Sequence, residues 1–232
     1  MIFLFVCVIL NQALQNISFE TNVFNKGRVS MPPKPKFTKE EIIAAALELV
    51  SEKGLEALTA RDLGKRLGSS ARPIFTVFNS MEEVQEAVRA AALKRFESYA
   101  EKAMDYTPVV KQVGMQMILF AIEEPKLYQL VYMSENAGAT NFDGIVERLG
   151  KVAHLCVDVI QRDYGLTQAD ARILFEHVWI YTFGIGALCA TGMCRFSQDE
   201  IIQMLGQNFM GMLFYAKSGR MNMPTPVPRM EG

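Results

Sequence analysis

The residues from Gly54 to Val84 read GLEALTARDLGKRLGSSARPIFTVFNSMEEV, and this stretch decides the fold of the N-terminal part of the chain. Thr59 and Ser80 are each followed three residues later by an acidic residue, which is the spacing of a helix N-cap. The turn Leu67-Gly68-Ser69-Ser70 ends the helix that begins at Thr59, and Ser70 is expected to cap another short helix. Two short helices joined by a tight turn containing glycine predict a helix-turn-helix. In this motif, residues at the N-terminus of the second helix meet base edges in the major groove of DNA.

The same helix-start signal recurs outside this stretch. Thr38, Thr167 and Ser197 are each followed three residues later by Glu or Asp, as in a capping box. Apolar residues recur with helical spacing behind each signal, and no segment shows sustained alternation of apolar and polar residues. The sequence therefore predicts an all-α fold. The predicted helices span residues 38–53, 59–67, 80–104, 108–125, 125–135, 142–164, 167–193 and 197–217.

The charge of the chain is small in total but unevenly spread. The formal charge is −1, from 24 Lys and Arg against 25 Asp and Glu, which taken alone argues against bulk electrostatic binding to nucleic acid. Residues 31–80 carry eight bases and six acids, whereas residues 81–232 carry 14 bases and 18 acids. A basic segment beside an acidic remainder predicts a small polyanion-binding module attached to a body with another task. Four Cys in 232 residues do not make a disulfide scaffold and fit a reducing cytosol.

The pattern over residues 37–96 resembles the DNA-binding domain of the TetR (tetracycline repressor) family of bacterial transcription regulators. The positions that carry the resemblance are Gly54, Thr59, Leu63, Gly68, Ser70, Ile74, Phe75, Phe78 and Ser80. The resemblance implies an N-terminal three-helix DNA-binding domain with a helix-turn-helix, followed by a larger helical ligand-binding and dimerisation domain. The implied divisions are an extension over 1–33, a DNA-binding domain over 34–82 with its motif at 59–78, a regulatory domain over 83–218 and a tail over 219–232.

The resemblance also implies the DNA contacts. Arg72 is the main candidate for base readout, because a guanidinium pairs bidentately with guanine O6 and N7. Arg61 is placed to reach a guanine or a phosphate. The full set of predicted contact residues is Thr59, Arg61, Ser69, Ser70, Ala71, Arg72, Pro73, Phe75, Thr76, Val77 and Phe78.

Three residues depart from the family pattern. Phe75 stands where the family usually has Tyr, Met81 where Lys is common, and Val77 where His is frequent. The first two departures remove phosphate contacts, so they concern affinity for the DNA backbone more than the fold. Compensating minor-groove or phosphate contacts are predicted from the three lysines near the start of the domain, which are Lys34, Lys36 and Lys39.

The resemblance implies three partners: a palindromic double-stranded DNA operator, a second copy of the chain, and a small-molecule effector that releases a repressor from the operator. By resemblance, the last two long helices form a four-helix bundle with the same pair of a second subunit. Small residues over 183–190 permit close helix approach, and apolar residues recur with helical spacing further on. These are Met204, Leu205, Phe209, Met212 and Leu213. The alternative is that they form the core of a single chain.

A ligand pocket is expected among the helices from about 100 to 180, lined by methionine and aromatic side chains. The candidates are Met115, Phe120, Tyr128, Tyr132, Trp179 and Phe183, with Met117 and Met133 beside them. Ordinary core packing is the alternative for each of them. His154 and His177 are the only histidines, and lone histidines on helices are usually structural, so neither a metal site nor a cofactor is predicted. Cys189 and Cys194 form either a redox switch or a pair of inert thiols.

Residues 1–30 differ in character from the rest. The apolar run Met1–Leu10 is too short to span a bilayer, and no positive residue precedes it. Three interpretations are open: a start site placed too far upstream of Met31, a disordered arm of the native protein, or a membrane or export signal.

No Ser-His-Asp set, Cys-His set or phosphate-binding glycine loop indicates an enzyme. The expected function is therefore that of a cytoplasmic DNA-binding regulator, and the alternative is a membrane-associated or purely structural helical interaction protein.

Overall fold

The computed structural model describes residues 35–103, 108–134, 141–149 and 151–219. From Pro35 onward these residues form one compact unit. Nine α-helices and no strand lie within the described residues, which confirms the all-α prediction. The helices are α1 (Lys39–Lys53), α2 (Ala60–Arg66), α3 (Met81–Glu101), α4 (Val109–Glu123), α5 (Pro125–Tyr128), α6 (Phe142–Leu149), α7 (Lys151–Tyr164), α8 (Gln168–Ala190) and α9 (Gln198–Lys217).

Three shorter helical segments join these elements. Single 3₁₀ turns span Leu55–Ala57 and Ile74–Thr76, and a π-helical segment, Gln129–Met133, continues directly from α5. The boundary predicted at residue 82 falls within the first turn of α3, and the division into two functional domains stays a prediction. The proposed extension over 1–33 and nearly all of the tail over 219–232 lie outside the described residues.

The predicted helix starts are hydrogen-bonded caps. Thr38 and Ser197 form complete capping boxes, in which the Glu three residues later bonds back to the N–H of the cap residue. Thr59 and Thr167 accept from the N–H of the Asp three residues later, and their hydroxyls donate to its carboxylate. Ser80 likewise accepts from a backbone N–H in the first turn of α3. These local bonds place the helix starts where the sequence predicts them.

One continuous apolar cluster joins the N-terminal helices to the helices behind them. Within α1–α3, fully buried side chains include Ile42, Leu63 and Ile74. The same cluster continues through Phe96 near the end of α3 to Phe120 on α4. The interior is therefore close-packed without a break from the N-terminal helices into the larger helical body.

The larger body is built around α8, which packs against α4, α7 and α9. By length and composition alone, α8 is long and apolar enough to cross a membrane. Its buried residues, which include Leu174, Phe175 and Ile185, contact the neighbouring helices instead. These are the properties of a central core helix in a helical bundle.

Candidate nucleic-acid interface and sensor core

The segment after α2 forms the predicted second part of the helix-turn-helix, but as a single turn. The N–H of Ile74 donates to the Ala71 carbonyl at 3.1 Å, and the N–H of Phe78 donates to the Ile74 carbonyl at 3.0 Å. The prediction that Ser70 caps this helix is wrong, because the turn spans Ile74–Thr76 and the residue in the cap position is Pro73, which makes no side-chain cap. Arg72 lies in the turn that the bond between Ile74 and Ala71 closes. We call residues 69–77 the recognition segment.

Gly64 on α2 allows the recognition segment to approach α2 backbone to backbone. A Cβ at this position would lie 2.8 Å from the carbonyl carbon of Ser70 and 2.9 Å from the nitrogen of Ala71. The N–H of Ser69 donates to the Gly64 carbonyl at 2.9 Å, which fixes the turn. Any side chain here would therefore push the recognition segment away from α2. The sequence argument missed this role of Gly64, since nothing local to α2 requires a glycine there.

Three basic side chains of the motif are exposed and make no ion pair among the described residues. They are Arg61, Lys65 and Arg72. Arg66, by contrast, bonds to Glu52 at 2.6 Å and to Glu48 at 3.0 Å, which ties α2 to α1. Its hydrogen bond lowers the pKa of Glu52. The positive charges of Arg61, Lys65 and Arg72 therefore remain available to a polyanion. The charge of Arg66 is instead neutralised by carboxylates of the protein.

The remaining predicted contact residues divide by exposure. Ser70 and Thr76 are exposed, and Phe75 is 47% exposed. The hydroxyl of Thr76 donates to the carbonyl of Pro73, and that of Thr59 is engaged in capping α2. Half-buried positions are Ser69, Ala71, Pro73 and Val77.

Phe78 does not belong to the contact set. It is only 1% exposed and packs in the core with Ile74 and Val84. The ammonium of Lys39 lies 5.1 Å from the centre of its ring. A residue buried in this way holds the recognition segment in place and cannot touch DNA.

The lysines proposed to compensate for lost phosphate contacts are unequal. Lys34 lies outside the described residues. Lys36 donates to the Ser69 hydroxyl at 3.0 Å, so its charge stays beside the recognition segment. Lys39 faces Glu83 at 3.8 Å, which reduces its value as a phosphate contact.

In the larger body, aromatic rings form a connected series that we call the aromatic network. Neighbouring ring centres in it lie 4.9 to 6.4 Å apart. Five of the six predicted pocket residues belong to the aromatic network. The sixth, Met115, lies apart from it and packs with Ile118 and Ile185 in another cluster. The members are Phe96, Tyr99, Phe120, Tyr128, Tyr132, Phe142, Trp179 and Phe183. Phe96, Tyr99 and Phe142 were missed, since their sequence positions give no sign that they meet the others.

Tyr128 lies at the centre of this network against α8. Its hydroxyl donates to the carbonyl of Phe183 at 3.1 Å, and burial raises the pKa of the hydroxyl, so it stays protonated. A Cβ on Gly186 would lie 2.5 Å from the same hydroxyl oxygen. Gly186, one of the small residues predicted to permit helix approach, therefore makes room for a side chain of its own chain.

Glu124, between α4 and α5, bonds to both of the long N-terminal helices. Its carboxylate accepts from the Ser51 hydroxyl on α1 at 2.7 Å and pairs with Arg95 on α3. The residue is only 8% exposed. We call residues 124–134 the bridging segment, because Tyr128 and Tyr132 of the aromatic network lie within it.

The last two helices carry an exposed apolar face. Phe214 is 80% exposed, Met210 is 60% exposed and Ile180 is 54% exposed. Open space lies over three glycines on the same helices, which are Gly184, Gly206 and Gly211. We call these six residues the α8–α9 face.

Three of the residues predicted to pair with a second subunit do not lie on the α8–α9 face. Leu205, Phe209 and Leu213 are buried within one chain, so the alternative of an intrachain core is correct for them. Met204 and Met212 are half-buried against the same clusters.

The thiols and imidazoles show no assembled site in the part of the chain that the structure describes. No group of three or more His, Cys, Asp and Glu there is placed to hold a metal ion. Burial raises the pKa of Cys156 to about 12 and also raises that of Cys189, which disfavours the reactive thiolates.

Comparison with known proteins agrees with this geometry. A family model described as bacterial regulatory proteins of the tetR family matches residues 42–88. The HTH-type transcriptional repressor KstR2 of Mycolicibacterium smegmatis is 25% identical over 158 residues, which are 66% of this chain and 76% of that protein.

Solved structures show the same fold. A putative TetR-family regulator from Vibrio parahaemolyticus has a TM-score of 0.57 at 17% identity, covering 74% of this chain and 96% of its own. A TetR variant from Acinetobacter baumannii AYE in complex with minocycline has a TM-score of 0.53 at 16% identity, covering 80% and 99%.

Fold and interface together define a helix-turn-helix DNA-binding protein of two-part helical architecture. Residues 42–88 carry the DNA-binding part of the tetR family of bacterial regulatory proteins, and the chain is a DNA-binding transcription regulator. The resemblance recognised in the sequence is thereby confirmed, and the alternative of a membrane-associated or purely structural protein is not favoured.

Proposed function

We propose that the protein is a cytoplasmic, dimeric repressor that leaves a palindromic operator when a small-molecule effector binds. The observation that supports this most is the guanidinium of Arg72, which is exposed and makes no ion pair with any described residue, on a recognition segment that Gly64 allows to lie close against α2. The repressor name of the mycobacterial relative and the drug bound to the Acinetobacter structure support this direction of control. We assign the protein no catalytic activity, since regulators of this family are typically non-enzymatic.

The α8–α9 face supports dimerisation. Phe214, Met210 and Ile180 would leave water on pairing, and each buried side chain of this size contributes about 1.5–3 kcal/mol. Glycines on the face let helix backbones approach closely. Because a two-fold axis repeats every contact, two copies would present their recognition segments to the two halves of a palindrome.

The bridging segment supports coupling between effector and DNA. At one end Glu124 bonds to α1 and α3. Further along, Gln129 donates to the Ala190 carbonyl on α8 at 2.6 Å, and Arg89 on α3 donates to the Leu130 carbonyl at 2.8 Å. A ligand bound among the rings of this segment would favour one arrangement of α1 and α3 over another. The effector then weakens DNA binding by its difference in affinity for the two arrangements.

We expect Arg72→Ala to weaken binding to the operator by about a hundredfold, because each dimer loses two bidentate base contacts of about 1–3 kcal/mol. The measurement is a fluorescence anisotropy titration with promoter DNA from the region of the protein's own gene. Arg162→Ala is the control, since Arg162 is exposed and pairs only with its neighbour Asp163. Equal affinity of the two variants for the same operator would contradict the role of Arg72.

We expect Glu124→Gln to lower the free energy of unfolding by about 1–2 kcal/mol, because the buried acceptor loses its charge beside Arg95. The expected loss is kept small because solvent weakens the charge interaction between Glu124 and Arg95, whose side chain is 43% exposed. Urea denaturation measures the effect. Glu123→Gln, which changes the adjacent carboxylate that accepts from Tyr99, is the matched control. A change no larger than that of the control would show that Glu124 does not tie the bridging segment to α1 and α3.

A further inference from the structure

Two polar atoms of the aromatic network have no hydrogen-bond partner among the residues that the structure describes. They are the hydroxyl oxygen of Tyr132 and the indole nitrogen Nε1 of Trp179, and both atoms are buried. Buried donors in folded proteins are nearly always paired, and leaving one unpaired costs free energy. Each of these two atoms therefore marks a place where an acceptor from outside the chain would be stabilised.

The two donors lie on neighbouring rings. The ring centres of Tyr132 and Trp179 are 6.4 Å apart. Phe142 and Phe183 extend the surface, with centres 5.6 and 5.5 Å from that of Trp179, and the Phe183 and Trp179 rings are stacked within 9° of parallel. The surroundings of the donors are thus flat and apolar.

These rings are not fully covered. Tyr132, Phe142, Trp179 and Phe183 are all half-buried, so each keeps accessible surface although the polar atoms of Tyr132 and Trp179 are hidden. Tyr132 and Trp179 also pack against two different buried clusters and so lie where these clusters meet. Accessible apolar surface beside a few polar groups is the usual composition of a small-molecule site.

The charges nearby disfavour an anionic ligand. Burial, the Tyr128 hydroxyl and the Glu97 carboxylate raise the pKa of Tyr132, so its hydroxyl remains a donor. Nη1 of Arg89 donates to the Leu130 carbonyl and the Ser134 hydroxyl, and its Nε, which has no hydrogen-bond partner among the described residues, lies 3.7 Å from the Glu86 carboxylate. Since Glu97 disfavours negative charge at Tyr132 and Glu86 balances the charge of Arg89, a neutral acceptor fits better than a charged one.

We propose that the effector is an uncharged, mostly apolar ring compound with a carbonyl oxygen that accepts from Tyr132 Oη and Trp179 Nε1. A carbonyl oxygen has two lone pairs and can accept from both donors at once. Its ring system lies against Phe142 and Phe183. The inference rests on the proposed function, because it names the chemical class of the effector of that regulator.

The test uses the fluorescence of Trp179, the single tryptophan of the chain. Three probes of similar shape are titrated at neutral pH: α-tetralone, the hydrocarbon tetralin and tetralin carboxylate. We expect tetralone to bind at least about tenfold more tightly than either of the others, since only it satisfies the unpaired donors without bringing a charge. Absence of tetralone binding, or tighter binding of the carboxylate, would overturn the proposal.

A pair of variants separates hydrogen bonding from packing. Tyr132→Phe removes only the hydroxyl and leaves Trp179 Nε1 as a donor, so we expect the preference for tetralone over tetralin to shrink while tetralin affinity is unchanged. Tyr99→Phe is the control, because its hydroxyl donates to Glu123 at 2.7 Å and is not one of the unpaired donors. An undiminished preference in Tyr132→Phe would refute the assignment. Operator binding by the unmodified protein is measured in parallel: its absence contradicts the regulator itself, whereas operator binding without a ketone preference contradicts only the effector class.

Discussion

Replacement of Gly64 by Ala is expected to abolish sequence-specific DNA binding while the helical body stays folded. The added Cβ would lie 2.8 Å from the backbone of Ser70, so the recognition segment has to move away from α2. Overpacking of this kind costs about 1–3 kcal/mol, and the better helix propensity of Ala returns about 1 kcal/mol. Global stability therefore changes little. Affinity for the operator falls by about a thousandfold, towards the level of non-specific binding, because the whole recognition segment, Arg72 included, no longer meets its bases.

Two measurements on the same variant establish this result. Circular dichroism should show an unchanged helical signal and nearly the same thermal midpoint, and a DNA titration should show the loss of operator binding. Gly114→Ala is the matched control, because this glycine also lies in a helix and its added Cβ would come no closer than 3.4 Å to any neighbour. If Gly64→Ala binds the operator as well as Gly114→Ala does, the close approach of α2 to the recognition segment does not matter for function.

Replacement of Phe214 by Glu is expected to convert the proposed dimer into a monomer and to reduce operator affinity by about a thousandfold. Phe214 is 80% exposed in the single chain and lies on the α8–α9 face. A two-fold axis would bury two unpaired carboxylates in one interface, and an unpaired buried charge costs several kcal/mol. A monomer contacts only half of a palindrome, so it also loses the affinity that simultaneous contact provides.

Sedimentation velocity at micromolar concentration measures the first effect and a DNA titration measures the second. Met193→Glu provides the control, since Met193 is 78% exposed but lies in the loop after α8. The dimer model expects Met193→Glu to remain dimeric. A Phe214→Glu protein that sediments as a dimer and binds the operator normally would place the interface elsewhere.

The sequence predicts the helices of this protein well because their signals are local. Thr38 and Ser197 mark helix starts through bonds to residues three positions away, and these bonds are present in the structure. The exposed positions of Arg61 and Arg72 follow from the same short-range pattern once the motif is recognised.

Features that depend on distant parts of the chain were not predictable in this way. Helical periodicity indicates that one face of α9 is apolar, but it does not say whether Phe209 packs on its own chain or on a partner. It packs on its own chain, and Phe214 is left exposed.

The same limit applies to the aromatic network and to the helix-turn-helix. Phe142 and Trp179 meet only because of how α6 lies on α8, and Gly64 is required only because the recognition segment returns to α2. The cap assigned to Ser70 is wrong because the turn starts later than predicted, at Ile74, with Pro73 in the cap position.

Footprinting of the purified protein on DNA from the region of its own promoter tests the central claim most directly. The account predicts one palindromic site with two protected half-sites whose centres lie about one helical turn apart on the same face of the duplex. Arg72→Ala should remove this protection at the same protein concentration. Uniform protection of any sequence, lost only as salt is raised and unaffected by Arg72→Ala, would contradict sequence-specific regulation by this protein.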